Sequence, residues 1–133
     1  MTEHDVKLAL QNYHKFKKSI QTTLNKIEMI EVQQTKTGGS IIRMPDGSTN
    51  NEQRKLGLIE RKTKLENDIE VYTYYIRLAE DFMGALKEPF RSLVRNKYVD
   101  KIKTDKLVEV YHYSRNGIMK VIDRLIERYI ALT

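Results

Sequence analysis

Cysteine and tryptophan are missing from the 133 residues, and there are only two prolines and six glycines. Without cysteine there is no disulfide framework, no thiolate nucleophile and no thiolate metal ligand. This points to a reducing, cytoplasmic setting. So few helix breakers argue against a β-sandwich or a disordered tail. No apolar run approaches the ~20 residues of a membrane span, so no membrane partner is expected. The opening MTEHDVK lacks the apolar core of a secretory leader. Catalytic constellations are also missing. His4, His14 and His112 share no metal-ligand spacing with a carboxylate. Gly38-Gly39 lacks the Lys-Ser/Thr of a phosphate loop. Glu80 and Asp81 are neighbours on a helical stretch and so point in different directions. The expectation is a chain that is not an enzyme and takes no metal or cofactor.

What the chain does have is charge and periodicity. Charged residues make up 32% and hydrophobic residues 40%, a composition that suits an all-α protein. The net charge of +6 is unevenly placed. Residues 1–84 carry 13 Lys+Arg against 12 Asp+Glu, while residues 85–133 carry 11 against 6. The C-terminal third therefore holds +5, which favours a polyanionic partner there.

Residues 4–33 read as one long helix. Val6, Leu10, Tyr13, Lys17, Ile20, Leu24 and Ile27 alternate in steps of four and three, a heptad seam with one polar interruption. Residues 52–83 repeat the pattern through Leu58, Lys62, Leu65, Ile69, Tyr72, Ile76, Ala79 and Met83. A tip at 34–51 separates them. It contains Gly38-Gly39, a short strand expected at Ser40–Met44, and a Pro45-Asp46-Gly47 turn. Two helices of matching length joined this way are expected to fold back as an antiparallel hairpin over residues 1–84. Tyr74, Tyr75, Leu78 and Phe82 widen the apolar face late in the second helix, which is read as packing against a C-terminal domain in preference to a cofactor or ligand surface. Gly84 and Pro89 place the boundary, giving a second domain at 85–133.

That domain reads as three short helices. Phe90, Leu93, Val94 and Tyr98 give the first its apolar face, with Pro89 in its first turn. Residues 99–103 form a connector. Thr104 is expected to cap a second helix at about 105–111, and Ser114 a third that buries Ile118, Val121, Ile122, Leu125, Ile126 and Tyr129. The interruption at 111–114 then becomes the turn of a helix-turn-helix, and Arg115-Asn116 becomes the part that enters a DNA groove. Such motifs usually have alanine where this chain has Val108 and glycine where it has His112. Histidine is among the better residues at positive φ.

The segment EPFRSLVRNKYVDKIKTDKLVEVYHYSRNGIMKVIDRLIERYIAL resembles the C-terminal DNA-reading domain of bacterial sigma factors. It does so through Arg91, Val94, Tyr98 and Tyr113-Ser114-Arg115. Together with the hairpin and its Met-Pro-x-Gly tip, nearly the whole chain resembles the ArpU/RinA-type late transcription regulators encoded by phages of Gram-positive hosts. The resemblance implies a cytoplasmic protein of a bacterial host that binds double-stranded DNA as a monomer or homodimer and contacts RNA polymerase. Carried over by position, Arg115, Asn116, Met119 and Lys120 are the base-reading candidates. Arginine can place two parallel donors on guanine, and asparagine can bridge the donor and acceptor of adenine. Lys103, Thr104, Ser114 and Arg124 are the phosphate-contact candidates, which fix register without reading sequence. Gly117 stands where the sigma pattern has a polar residue, so the target sequence does not transfer. Two other readings compete: a phage small terminase subunit binding packaging-site DNA, and a protein-binding inhibitor of a host factor.

Overall fold

The computed structural model describes residues 1–39 and 47–133, with side chains for 1–35 and 52–133. Among these residues the protein is all-α: α1 (Glu3–Gln11), α2 (Tyr13–Gly39), α3 (Gly47–Ala85), α4 (Phe90–Val94), a π-helical turn (Arg95–Val99), α5 (Thr104–Tyr111) and α6 (Arg115–Leu132). The strand expected at 40–44 and the turn expected at 45–46 lie outside the described residues. Helix covers part of the expected tip, since α2 continues to Gly39 and α3 begins at Gly47. No described helix is long and apolar enough to cross a membrane.

The single helix expected at 4–33 is broken at Asn12 (φ −109°, ψ 16°). Thr2 opens α1 with a capping box, its hydroxyl accepting from the Asp5 N–H while Asp5 accepts from the Thr2 N–H. At Asn12 both the backbone N–H and the side-chain amide donate to the Leu8 carbonyl, at 3.1 and 3.0 Å. Such local side-chain bonding competes with the helical ladder. The break changes the seam. Past Tyr13 it runs through Phe16, Ile20, Thr23, Ile27 and Ile30, so Lys17 and Leu24 lie off it. Thr23 is 6% exposed and Leu24 46%. This phase turns Phe16 inward, where it stacks on Tyr75 at 5.3 Å, and leaves Lys17 exposed, its ammonium 4.5 Å from the centre of the Tyr13 ring. The expected phase would have desolvated that charge.

The chain forms two compact units, one of residues 1–17 and 73–133, the other of residues 18–72. This differs from the expected division at 84/85, because α1 and the end of α3 belong with the C-terminal helices. The first unit has one continuous core. Val6, Ala9 and Leu10 of α1 meet Leu78, Ala79, Phe82 and Met83 of α3, together with Leu93, Val94, Tyr98, Leu107, Ile118, Ile122 and Ile126. Tyr13 donates to Glu80 at 2.9 Å, and Phe82 meets Tyr129 edge to face at 5.3 Å. Tyr13–Glu80 and Phe16–Tyr75 run in opposite chain directions, so α2 and α3 are antiparallel here. Of the late apolar residues of α3, Leu78 and Phe82 are buried and Tyr75 packs on the core, while Tyr74 stays exposed.

Arg91 closes the end of α3. Its Nε donates to the Met83 carbonyl at 3.1 Å, and its Nη2 to those of Leu86 and Gly84 at 2.8 and 3.4 Å. The last carbonyls of a helix have no intrahelical partner, and a cation there also suits the helix dipole. Pro89 precedes α4 instead of entering its first turn, and the Glu88–Pro89 peptide is cis.

In the second unit α2 and α3 lie side by side. Ile27 and Ile30 are buried, Leu58, Leu65 and Ile69 are half-buried, and Lys62 reaches Glu31 at 3.3 Å. That ion pair explains how a lysine is carried on the α3 seam.

Candidate nucleic-acid interface

The connector and the α5–α6 corner place the residues singled out in the sequence. Lys101, in positive φ (53°), follows the π-helical turn, whose Asn96 carbonyl accepts from the Ile102 N–H at 2.9 Å. Thr104 does not cap α5. Lys103 occupies the cap position without a side-chain bond, and Thr104 is the first helical residue. The Thr104 hydroxyl accepts from Lys97 Nζ at 3.2 Å, a partner seven residues back in the π-helical turn. It is half-buried and already engaged, which weakens it as a phosphate contact. Lys103 is exposed.

α5 ends at His112 in the left-handed region (φ 59°, ψ 30°), where its N–H reaches the Val108 carbonyl at 3.0 Å. The conformation expected where glycine is usual is therefore present. Tyr111 and Tyr113 flank it, half-buried against the core, and the Tyr111 hydroxyl accepts from Asn96 at 2.9 Å. Ser114 then caps α6 as its residue type predicts, with extended backbone and its hydroxyl accepting from the Gly117 N–H at 3.0 Å. Gly117 has a local explanation here. A Cβ on it would lie 3.0 Å from that hydroxyl, so the missing side chain leaves room for the cap.

Ile118, Ile122 and Ile126 bury one face of α6 at helical spacing, with Val121, Leu125 and Tyr129 packed beside them. All of the expected inward residues of this helix thus face the core. Arg115, Asn116, Met119, Lys120 and Arg124 are exposed. Residues 115 and 119, 116 and 120, and 120 and 124 are each one turn apart, so they share a continuous surface.

Two contacts were not legible in the sequence. Arg115 is bound to Asp105 of α5, its Nε donating at 2.7 Å and its Nη2 contacting the same oxygen. Asp105 in a first turn reads by itself as a dipole or capping residue. Lys7 of α1 meets Asp123 of α6 at 2.8 Å, an ion pair rather than a well-angled hydrogen bond to the buried Oδ1. The Asp123 carboxylate, opposed by burial, holds the Lys7 ammonium above the usual lysine value. Burial pushes the neighbouring Tyr98 phenol up.

Among the described residues no group of three or more His, Asp or Glu side chains is arranged to hold a metal ion. No protein-family model matches the chain, nor does any curated protein or solved structure.

Proposed function

We propose that the protein binds double-stranded DNA in a sequence-specific manner and acts as a phage-type transcription regulator. In this reading α5 and α6 form a helix-turn-helix. The observation that carries it is the start of α6, where a capped helix anchored by Ile118 and Ile122 presents Arg115, Asn116, Met119 and Lys120 to solvent. The polar first turn of a recognition helix is the part that approaches base edges. Lys103 and Arg124 flank it as exposed cations suited to phosphates, within a segment that holds +5 of the net charge of +6. Contact with RNA polymerase, and action as a monomer or homodimer, belong to the same reading through the sigma-like segment.

Selection of bound duplexes from a randomised pool tests it, followed by titration of the selected site and a scrambled version. Arg115→Ala is expected to cost ~1–3 kcal/mol at the selected site and to relax preference at one base pair. Lys103→Ala should weaken both duplexes alike and reduce the log–log salt slope by about one unit, because each neutralised phosphate releases condensed counterions. If the pool yields no preferred duplex and binding is absent or independent of salt, the protein is not a DNA reader.

A further inference from the structure

Arg115 is held, although it lies on the surface. Its Nε and Nη2 both meet Oδ1 of Asp105, while the two side chains remain 67% and 72% exposed. A guanidinium carries five N–H donors in one plane. Asp105 takes the side edge, made of the Nε–H and one Nη2–H. The terminal edge is left over, with one N–H from each Nη lying parallel. That pair has the spacing that matches N7 and O6 of guanine. The contact also joins the first turn of α5 to the first turn of α6, so the plane of the arginine is fixed by both helices of the corner.

We infer that Asp105 is a specificity-determining positioning residue: it holds the Arg115 guanidinium so that the terminal edge is presented to guanine, and discrimination belongs to the Asp105–Arg115 pair. This role rests on the DNA-reading function proposed above. Its physical basis is twofold. An unrestrained arginine loses much rotamer freedom when it docks, whereas one already oriented loses less. The carboxylate also repels the phosphates of every duplex, right or wrong. Asp105 therefore strengthens binding to the correct site through orientation and weakens binding to all sites through charge. Removing it shifts the two affinities in opposite directions. Loss of stability, including any loss of the carboxylate's favourable place in the first turn of α5, would lower both together.

The test uses the full chain as wild type, Asp105→Ala, Asp105→Asn and Arg115→Lys, titrated by fluorescence anisotropy with the selected duplex and its scrambled version at one salt concentration. Asp105→Ala should bind the scrambled duplex more tightly than wild type and the selected duplex more weakly. Discrimination should fall about five- to tenfold, a share of what one bidentate contact supplies. Asp105→Asn keeps an acceptor oxygen without the charge and should retain part of the discrimination. The base pair relaxed in these variants should be the one relaxed by Arg115→Lys, which keeps the charge but loses the fork. A thermal melt establishes that each variant is folded, and the asparagine variant carries the test if the alanine variant is not. Discrimination equal to wild type overturns the inference, and discrimination above wild type would show that Asp105 restrains Arg115 from reading. A wild-type protein with no preferred duplex removes the DNA reading itself, a result distinct from either of these.

Discussion

Replacing Leu10 with alanine removes three buried carbons from α1, more than 90 residues before the first base-reading candidate. Leu10 is fully buried, in a core shared with Phe82 of α3, Val94 of α4 and Ile122 of α6. Leucine-to-alanine changes at such sites cost ~2–5 kcal/mol, from lost transfer energy and the cavity left behind. In a unit of under 100 residues each kcal/mol lowers Tm by roughly 4–8 °C, so a drop of about 10 °C or more is expected. The informative assay is hydrogen exchange along α6. If α1 and α6 share one cooperative core, amides at Ile118, Ile122 and Ile126 should lose protection by roughly 30-fold or more, at a factor of ten per 1.4 kcal/mol. By the same reasoning a fragment of residues 85–133 should not fold, since Leu93, Val94, Ile118 and Ile122 lose the cover that α1 and α3 supply. Unchanged protection in α6 of Leu10→Ala, with faster exchange confined to α1, would refute the shared core and restore a boundary near Gly84.

Ser114→Ala should lower stability by ~0.5–2 kcal/mol through loss of the cap to the Gly117 N–H, read by chemical denaturation. Gly117→Ala should fall short of the ~1 kcal/mol that helix propensity alone would add, because its Cβ crowds the capping hydroxyl. In the Ser114→Ala background the same change should recover that gain, so the double-mutant cycle should be non-additive. Arg91→Ala should cost ~1.5–3 kcal/mol, the scale of hydrogen bonds to a charged group, and increase exchange in the last turn of α3. Stability should fall on alkaline titration. The raised Lys7 value means its pairing with Asp123 contributes fully below the unfolded lysine value of ~10.4 and is lost as pH rises through the folded one. Tyr98 acts with the same sign, because the unfolded chain releases that proton at about pH 10 while the buried phenol keeps it. Lys7→Met should therefore differ from wild type by a constant amount between pH 7 and 9 and converge with it above that range. A difference that persists at high pH would show that the ion pair is not its source.

The sequence by itself determined the features whose cause lies within a turn or so of the residue. Helical class follows from the heptads and the scarcity of breakers. The start of α6 follows from a serine whose hydroxyl reaches an N–H three residues on, and the end of α5 from a histidine that tolerates positive φ. The inward face of α6 follows from spacing alone. Tertiary structure decided everything that depended on what lies across space. Leu24 and Thr23 are both possible seam positions in one dimension. The inward turn of Phe16 against Tyr75 selects the phase that exposes Leu24 and Lys17. Thr104 has the residue type of a cap, yet Lys97 claims its hydroxyl from the preceding turn. The break that Gly84 and Pro89 bracket is real in the chain, falling between Ala85 and Phe90, but it does not divide the core, because a core is bounded by which apolar faces meet and not by where helices stop. The pairing of Asp105 with Arg115 is of the same kind: ten residues and a turn separate them, and only the crossing of α5 and α6 brings the carboxylate to the guanidinium.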